Sequence, residues 1–530
     1  MADPSPLSRD HGDEAAVTAA ATLEARRRGL VAVTAHGLKW SYASTLVTAV
    51  LQIGITALLA RLLTPGAFGL VAMAGVFLRF GQYFAQMGAG QAVVQRPQLS
   101  TRDVHSAFTS ALLIGAGFCA LFVALAPLAV LLFPGTPDVV AVTRVMSLTF
   151  VLGGLTAVTQ ALLQRRFAFG LIAAAEISAF LVGYAFVGLA LALSGFGAWS
   201  LVTASLVQSG VLAVIYIVVC RRDVGLSLHM GSLKSIYSFG GRVSLIGFGQ
   251  FVGGNLDALW VGHFLGVNAT GLYAKATNLA SAPLYMLTSA SSRVLMPAFS
   301  RIQSDHGRQR SVYLATITVV GAVVFPISWG VAASAREIVA TLLGAQWLSA
   351  VPALSVLAVA VPFTLLTHLG AVLCEATARL NAKIIITLGR LCWLAALLVA
   401  LARFGIVGIA AAFALSEMFT HIAYLVVMRR VLSIGAASLR QAYSVGLAAG
   451  LLSATVLLSI RYAANALGVP PAGALLLQLA AGTGILLATA TRARGGLVWR
   501  EIRRRLAQAG FTIDGRGITP WLMRRMEALA

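Results

Sequence analysis

The sequence predicts an all-α polytopic membrane protein, with about fourteen transmembrane helices in two pseudo-symmetric six-helix lobes plus two C-terminal helices. Three observations carry this. Apolar residues make up 59% and charged residues 11% of 530, whereas a water-facing surface needs about a quarter of its residues charged. Apolar runs of 18 or more residues, each long enough to cross hydrocarbon, recur along nearly the whole chain. A short helix-turn-helix phrase is written twice, 202 residues apart. Lipid offers no partner for loose backbone, so the spans are helices and not open sheets.

Residues 1–37 read as a polar cytoplasmic leader containing "DHGDE" and "ARRR". They lack the short apolar core and small-residue cleavage site of a secretory signal. Spans 38–60, 67–92, 104–132, 139–162, 168–194 and 197–220 form the N-lobe, 38–220. The links "TPG", "FPGTPD" and "SGFG" supply its tight turns, because Pro presets φ and Gly tolerates positive φ. An inter-lobe linker, 221–240, follows with Arg221, Arg222 and Lys234. The C-lobe, 241–430, takes spans 241–264, 269–298, 311–333, 350–374, 381–403 and 406–428, with "ARFG" joining its last pair. Its outer segment "REIVATLLGAQW" (336–347) is too short to span and is expected to be an interfacial helix or cap. Spans 441–461 and 471–491 fill the stretch 431–491, and a basic cytoplasmic tail, 492–530, completes the chain.

Formal net charge is +22, which raises the question of nucleic acid. By this span assignment about 31 of the 39 Lys and Arg lie at one set of alternate ends, and the positive-inside rule makes those ends cytoplasmic. An even span number then puts both termini in the cytoplasm, as a multi-pass protein of a bacterial inner membrane. The charge is topology, and no nucleic-acid partner is expected. The tail segment "GLVWREIRRRLAQAG" (496–510) suits either a bilayer surface with anionic lipid or plain solvation.

Cys119, Cys220, Cys374 and Cys392 fall within or at the ends of apolar runs, without metal spacing or a disulfide pattern. Neither "GxxxxGK[ST]" nor "HExxH" occurs, and no soluble domain is present to hold a catalytic site. The expectation is therefore a non-enzyme without catalytic residues, metal or cofactor, driven by a gradient or a downstream sink.

The repeated phrase is "ARLLTPGAFGLVAMA" (60–74) against "GHFLGVNATGLYAKA" (262–276), with Leu63, Gly69, Leu70, Ala72 and Ala74 falling on Leu265, Gly271, Leu272, Ala274 and Ala276. Six spans separate the copies, so the halves enter the membrane in the same orientation. Transporters commonly place a central site between such halves and rock one against the other. The second copy carries Lys275 where the first has Met73.

The stretches "LLTPGAFGLVAMAGVFLRFGQYFAQMGAGQAVVQR" (62–96), "LLQRRFAFG" (162–170) and "GNLDALWVGHFLGVNATGLYAKATNLASAPLYMLTSASSRVLMPAFSRIQSD" (254–305) resemble the MOP (multidrug/oligosaccharidyl-lipid/polysaccharide) exporter superfamily. Within it the chain is most similar to Wzx-type flippases of the colanic-acid and exopolysaccharide branch. The likeness covers about residues 38–430. It implies two lobes around a central cavity and transfer of undecaprenyl-diphosphate-linked oligosaccharide to the periplasmic leaflet, for exopolysaccharide, capsule or O-antigen synthesis. Membrane lipids are implied as partners, and polysaccharide polymerase and chain-length proteins as further ones. Relatives often carry arginine after "GLY", where this chain has Ala274-Lys275, so positive charge is kept but a bidentate phosphate grip is not.

A charge at mid-bilayer costs about 2.5–3.5 kcal/mol on insertion scales, so such residues face a wet cavity or a partner. The candidates are Arg79, Glu176, Asp257, Lys275, Arg390 and Glu417, with His368 a weaker one and Arg144 and Glu375 near span ends. Arg79, Lys275 and Arg390 are candidate ligands for an anionic diphosphate; Asp257, Glu176 and Glu417 are candidates for coupling or gating. The competing reading is internal pairing, Arg79 with Glu176 or Lys275 with Asp257, for packing or conformational locking. Trp40, Phe80, Tyr83, Phe84, Trp260 and Tyr285 are candidates for stacking on sugar rings, against ordinary core or interface roles. Three alternatives stay open: a cation-coupled multidrug exporter of the same fold, a polysaccharide polymerase or ligase, and a non-transporting component of a polysaccharide assembly complex. Short outer links, the longest about 16 residues, argue against the polymerase, which needs room for a catalytic loop.

Overall fold

The computed structural model describes residues 48, 50–85, 90, 93–94, 99–229, 253–282, 305–376 and 379–491. Among these residues the chain is helical and contains no strand. Nine stretches of the described residues are long and apolar enough to cross a membrane, and one of them, Asn381–Val431, is broken by a turn into two passes. With the helical residues at 50–62, 65–85 and 253–282, the arrangement is consistent with fourteen crossings. Trp40, Tyr285, the leader, the basic tail and residues 230–240 of the linker lie outside the described residues.

In the first half, α1 (Val50–Leu62) and α2 (Pro65–Ala85) form the opening hairpin, with Pro65 at the first helical position, where a missing N–H costs nothing. The helix α3 (Thr101–Leu132) starts at a capping box in which Ser100 and Asp103 satisfy each other's backbone N–H. It is followed by α4 (Asp138–Arg165), α5 (Phe169–Leu193) and α6 (Ala198–Val219). A π-helical stretch, Leu181–Gly188, sits inside α5 and packs against α6.

The second half opens with α7, helical over 253–282. Gly266, at φ 80°, marks its turn, a conformation that glycine adopts without strain. Then come α8 (His306–Ala333), α9 (Val351–Ala376), α10 (Leu380–Leu401) and α11 (Gly405–Val431). The last pair, α12 (Ala436–Ala466) and α13 (Pro471–Thr491), belongs with this half through the packing of α8 on α12. That approach is close because Gly446 lies against Gly321, where an added Cβ would sit 2.8 Å from backbone. Small residues of this kind let membrane helices meet where no hydrophobic driving force exists between them.

Further packing runs within each half: α3 on α4 and α4 on α6 in the first, α9 on α11 and α10 on α11 in the second. Large apolar side chains such as Leu131, Phe186, Ile385 and Leu476 are exposed around the outside, as a lipid-facing surface requires. The halves meet at the end opposite the arginine-rich links, called here the outer end. A shared core there joins Ala60 and Phe68 of the first half to Val261, Tyr273, Trp347 and Leu394 of the second.

Candidate functional site between the two halves

The repeated phrases touch each other. A Cβ on Gly69 would fall 1.8 Å from the Val267 carbonyl oxygen, and one on Gly271 would fall 1.9 Å from that of Pro65. Position 267 is 65 plus 202, so the two contacts are images of one another under the repeat.

The segment 336–347 closes over this crossing as a cap. It consists of a short helix (Ala335–Ile338), a π turn (Val339–Leu343) and a 3-10 turn (Ala345–Ala350). The buried Trp347 donates its indole N–H to the Ala60 carbonyl at 2.8 Å, and Gln346 donates to Ala60 at 2.6 Å and to Leu63 at 3.2 Å. Arg61 donates in return to the Thr341 carbonyl. These bonds satisfy carbonyls at the end of α1 that its own helix cannot serve. Phe68 packs edge-on against Trp347 with ring centroids 5.4 Å apart. On the far side of the cap Glu337 pairs with Arg461 of α12 at 3.4 Å.

Below the cap are the cations. Lys275 is 7% exposed, with Nζ 3.8 Å from the centroid of the Phe68 ring. Arg79 is exposed although it lies mid-helix on α2, and its guanidinium donates to Asn255 Oδ1 of the other half at 3.4 Å. Neither Arg79 nor Lys275 has a carboxylate partner among the described residues. The two internal pairings offered by sequence, Arg79 with Glu176 and Lys275 with Asp257, are therefore not made. At 1.5 Å per residue, Arg79 lies about 21 Å along α2 from Pro65, and Lys275 about 12 Å beyond Val267.

Arg390 differs. Its Nη2 stands 2.5 Å from Glu417 Oε1, joining α10 to α11, and Glu417 is nearly fully buried. The pair is close but poorly aligned, since Glu417 Oε1 and Arg390 Nε lack a well-directed hydrogen bond. Asp257 is buried and accepts from the Tyr273 hydroxyl at 2.6 Å, while its other oxygen has no hydrogen bond among the described residues. Arg390 lies within electrostatic reach of Asp257. Glu176 is exposed on α5, with no ion-pair partner among the described residues. Outside the spans, Arg166 pairs with Asp223 at 2.5 Å, and that hydrogen bond raises the guanidinium pKa above its usual value.

A family of sequences described as "Polysaccharide biosynthesis protein" matches residues 58–352, the stretch that contains both copies of the phrase, the cap and two of the three candidate cations. The chain belongs to this polysaccharide biosynthesis family. Among curated relatives it is 32% identical over 323 residues to the "Succinoglycan biosynthesis transport protein ExoT" of Rhizobium meliloti (strain 1021), covering 60% of this chain and 64% of that one. It is 26% identical over 328 residues to the "Lipopolysaccharide biosynthesis protein WzxC" of Escherichia coli (strain K12), covering 62% and 66%. The match thus spans just under two thirds of each of these two relatives. Among solved structures, the "Lipid II flippase MurJ, inward closed conformation" shares the fold at TM-score 0.63 and 13% identity, over 84% of this chain and 97% of that one. An inward-facing multidrug resistance MATE family transporter of the MOP superfamily follows at TM-score 0.54 and 16% identity, over 72% and 94%. The MOP-type fold expected from sequence is thereby established for this family member.

Several site residues escaped the sequence reading. Phe68 lies inside the repeated phrase, but nothing local singles it out as the ring beneath a lysine 207 positions away. The roles of Gln346 and Trp347 depend on contacts across the halves, and that of Tyr273 on a partner sixteen residues earlier in its own half. His421, which shares a 2.7 Å hydrogen bond with Tyr443, lies four residues after Glu417, a spacing that puts both on one helix face.

Proposed function

We propose that this chain is a flippase that moves undecaprenyl-diphosphate-linked oligosaccharide repeat units across the bacterial inner membrane by alternating access of its two halves. The observation that carries the reading is the pair of cations on equivalent helices, Arg79 on α2 and Lys275 on α7, without carboxylate partners among the described residues and each in contact with the other half. An unpaired cation at membrane depth is costly, so its counter-charge is expected from the cargo. A diphosphate joint between lipid tail and glycan supplies that charge.

The difference in depth suits a path. Entering from the cytoplasmic side, the diphosphate meets Arg79 first, whose fork of donors can hold two phosphate oxygens. Lys275, nearer the cap, receives it next. In the conformation described, the Phe68 ring covers the ammonium and the Gly69–Gly271 crossing seals the way out. A cation–π contact is worth about 0.5–2 kcal/mol, less than a desolvated phosphate offers, so an arriving anion draws Lys275 off the ring. Arg390, already paired with Glu417, fits a gate or brace between α10 and α11 better than a phosphate ligand.

The test is export in a deletion strain complemented with wild type, Arg79→Ala, Lys275→Ala or Arg390→Ala at matched membrane levels, with lipid-linked repeat unit quantified. Accumulation of repeat units with Arg79→Ala and Lys275→Ala supports the reading; unchanged export in both sinks it. A cation-coupled multidrug exporter predicts drug resistance on overexpression without a polysaccharide phenotype.

A further inference from the structure

We infer that a cavity inside the first half is a subsite for an uncharged sugar ring next to the diphosphate. This rests on the flippase reading above. The cavity has a volume of about 240 Å³ and lies where α2, α4 and α6 converge, lined among others by Gln82, Thr149, Gly153, Thr156, Ser209 and Leu212. Among the described residues no charged side chain lines it.

Its position follows from the helix repeat. Gln82 lies three residues beyond Arg79 on α2, so the two side chains occupy neighbouring faces one turn apart. A phosphate held at Arg79 therefore leaves its first sugar beside Gln82. The volume falls slightly below the 300–1,000 Å³ usual for small-molecule sites, as befits one ring of a longer glycan.

The hydrogen-bonding character of the lining is directional. Thr149 donates its hydroxyl proton to the Met146 carbonyl at 2.7 Å, and Ser209 donates to Ser205 at 2.9 Å. Thr156 donates to the Leu152 and Gly153 carbonyls, both at 3.1 Å. With their protons committed to their own helices, these three hydroxyls present lone pairs to the cavity, which accept from sugar O–H groups. Gln82 supplies the complement. Its amide holds Thr149 Oγ1 only at 3.4 Å, a long bond readily exchanged, and its Oε1 and second N–H are uncommitted among the described residues. Leu212 and the bare backbone of Gly153 provide an apolar wall for the ring's C–H face.

Other occupants fit less well. An acyl chain would leave the Gln82 amide oxygen and second N–H facing hydrocarbon, each at a cost of about 1–3 kcal/mol. A metal ion would enter a site with no carboxylate to balance it.

Gly153 makes the proposal testable, because a Cβ added there meets nothing within 4 Å. Gly153→Leu therefore fills the cavity without displacing backbone. It also raises helix propensity. The full chain in lipid nanodiscs would be titrated with undecaprenyl diphosphate carrying one uncharged hexose, and with undecaprenyl diphosphate alone. Wild type is expected to bind the hexose-bearing probe more tightly. Gly153→Leu and Gln82→Ala should each weaken that probe by about tenfold, the worth of one or two neutral hydrogen bonds, and leave the sugar-free probe unchanged. Equal affinity of wild type for both probes overturns the subsite. So does retention of the preference by both variants, with a melting temperature matching wild type showing that they are folded. Arg79→Met tests the underlying reading separately: it should weaken both probes alike, and no effect on either refutes the phosphate site without touching the sugar preference.

Discussion

Gly69 and Gly271 lie 202 residues apart in the chain and back to back in the fold, each placing its bare Cα where a side chain would strike the other's segment. The symmetry is that of the repeat, with Gly69 against Val267 and Gly271 against Pro65. Overlaps of 1.8 and 1.9 Å cannot be relieved by a rotamer change, because the obstacle is backbone. Gly69→Ala and Gly271→Ala are therefore expected to force the outer ends apart. With the native cysteines replaced, a reporter cysteine at Met73, fully buried below the crossing, should react with a membrane-impermeant maleimide in either variant and not in the parent. Equal protection in all three would mean that the crossing does not hold the seal.

The cap adds directional bonds to that crossing. Trp347→Phe keeps a ring against Phe68 but removes the N–H that serves Ala60. A loss of about 1 kcal/mol is expected, the usual net worth of a neutral hydrogen bond. Trp347→Ala should cost about 3–5 kcal/mol through the cavity it opens. Thermal unfolding in a fixed detergent reads both, and an unchanged melting temperature for Trp347→Phe would show that the indole N–H contributes nothing.

Lys275 should separate folding from transport. The charge is buried with only an aromatic ring as partner, so Lys275→Met, similar in volume, removes a desolvated cation without opening a cavity. The variant is expected to melt at or above the wild-type temperature while export falls at least tenfold. A variant that melts lower and exports normally would contradict both halves of the expectation.

Arg390 and Glu417 call for a double-mutant cycle. Removing one partner of a buried pair costs about 3–5 kcal/mol, because the other is left charged and uncompensated. Glu417→Leu alone should therefore destabilise strongly, and Arg390→Met with Glu417→Leu should recover most of the loss. If the double variant folds like wild type but fails to export, the pair acts in gating; if it exports, the pair is a brace.

The sequence by itself determined the fold class, the approximate spans and the existence of a repeat. These are one-dimensional signals: length of apolar runs, turn residues at their ends, and positive charge at alternate links. Hydrocarbon enforces them residue by residue, so they survive without knowledge of neighbours. It also named the six intramembrane charges, because a charge in an apolar run is conspicuous wherever it points. Only the tertiary structure decided their partners. Asp257 went to Tyr273, sixteen residues on, and not to Lys275; Lys275 went to Phe68 of the other half; Arg79 went to Asn255; and Arg390 found Glu417. Helices that satisfy their own backbone can rotate and slide without breaking a single main-chain hydrogen bond. Which side chains meet is then set by close-packing contacts such as Gly69 against Val267, a property of two surfaces that neither segment carries alone.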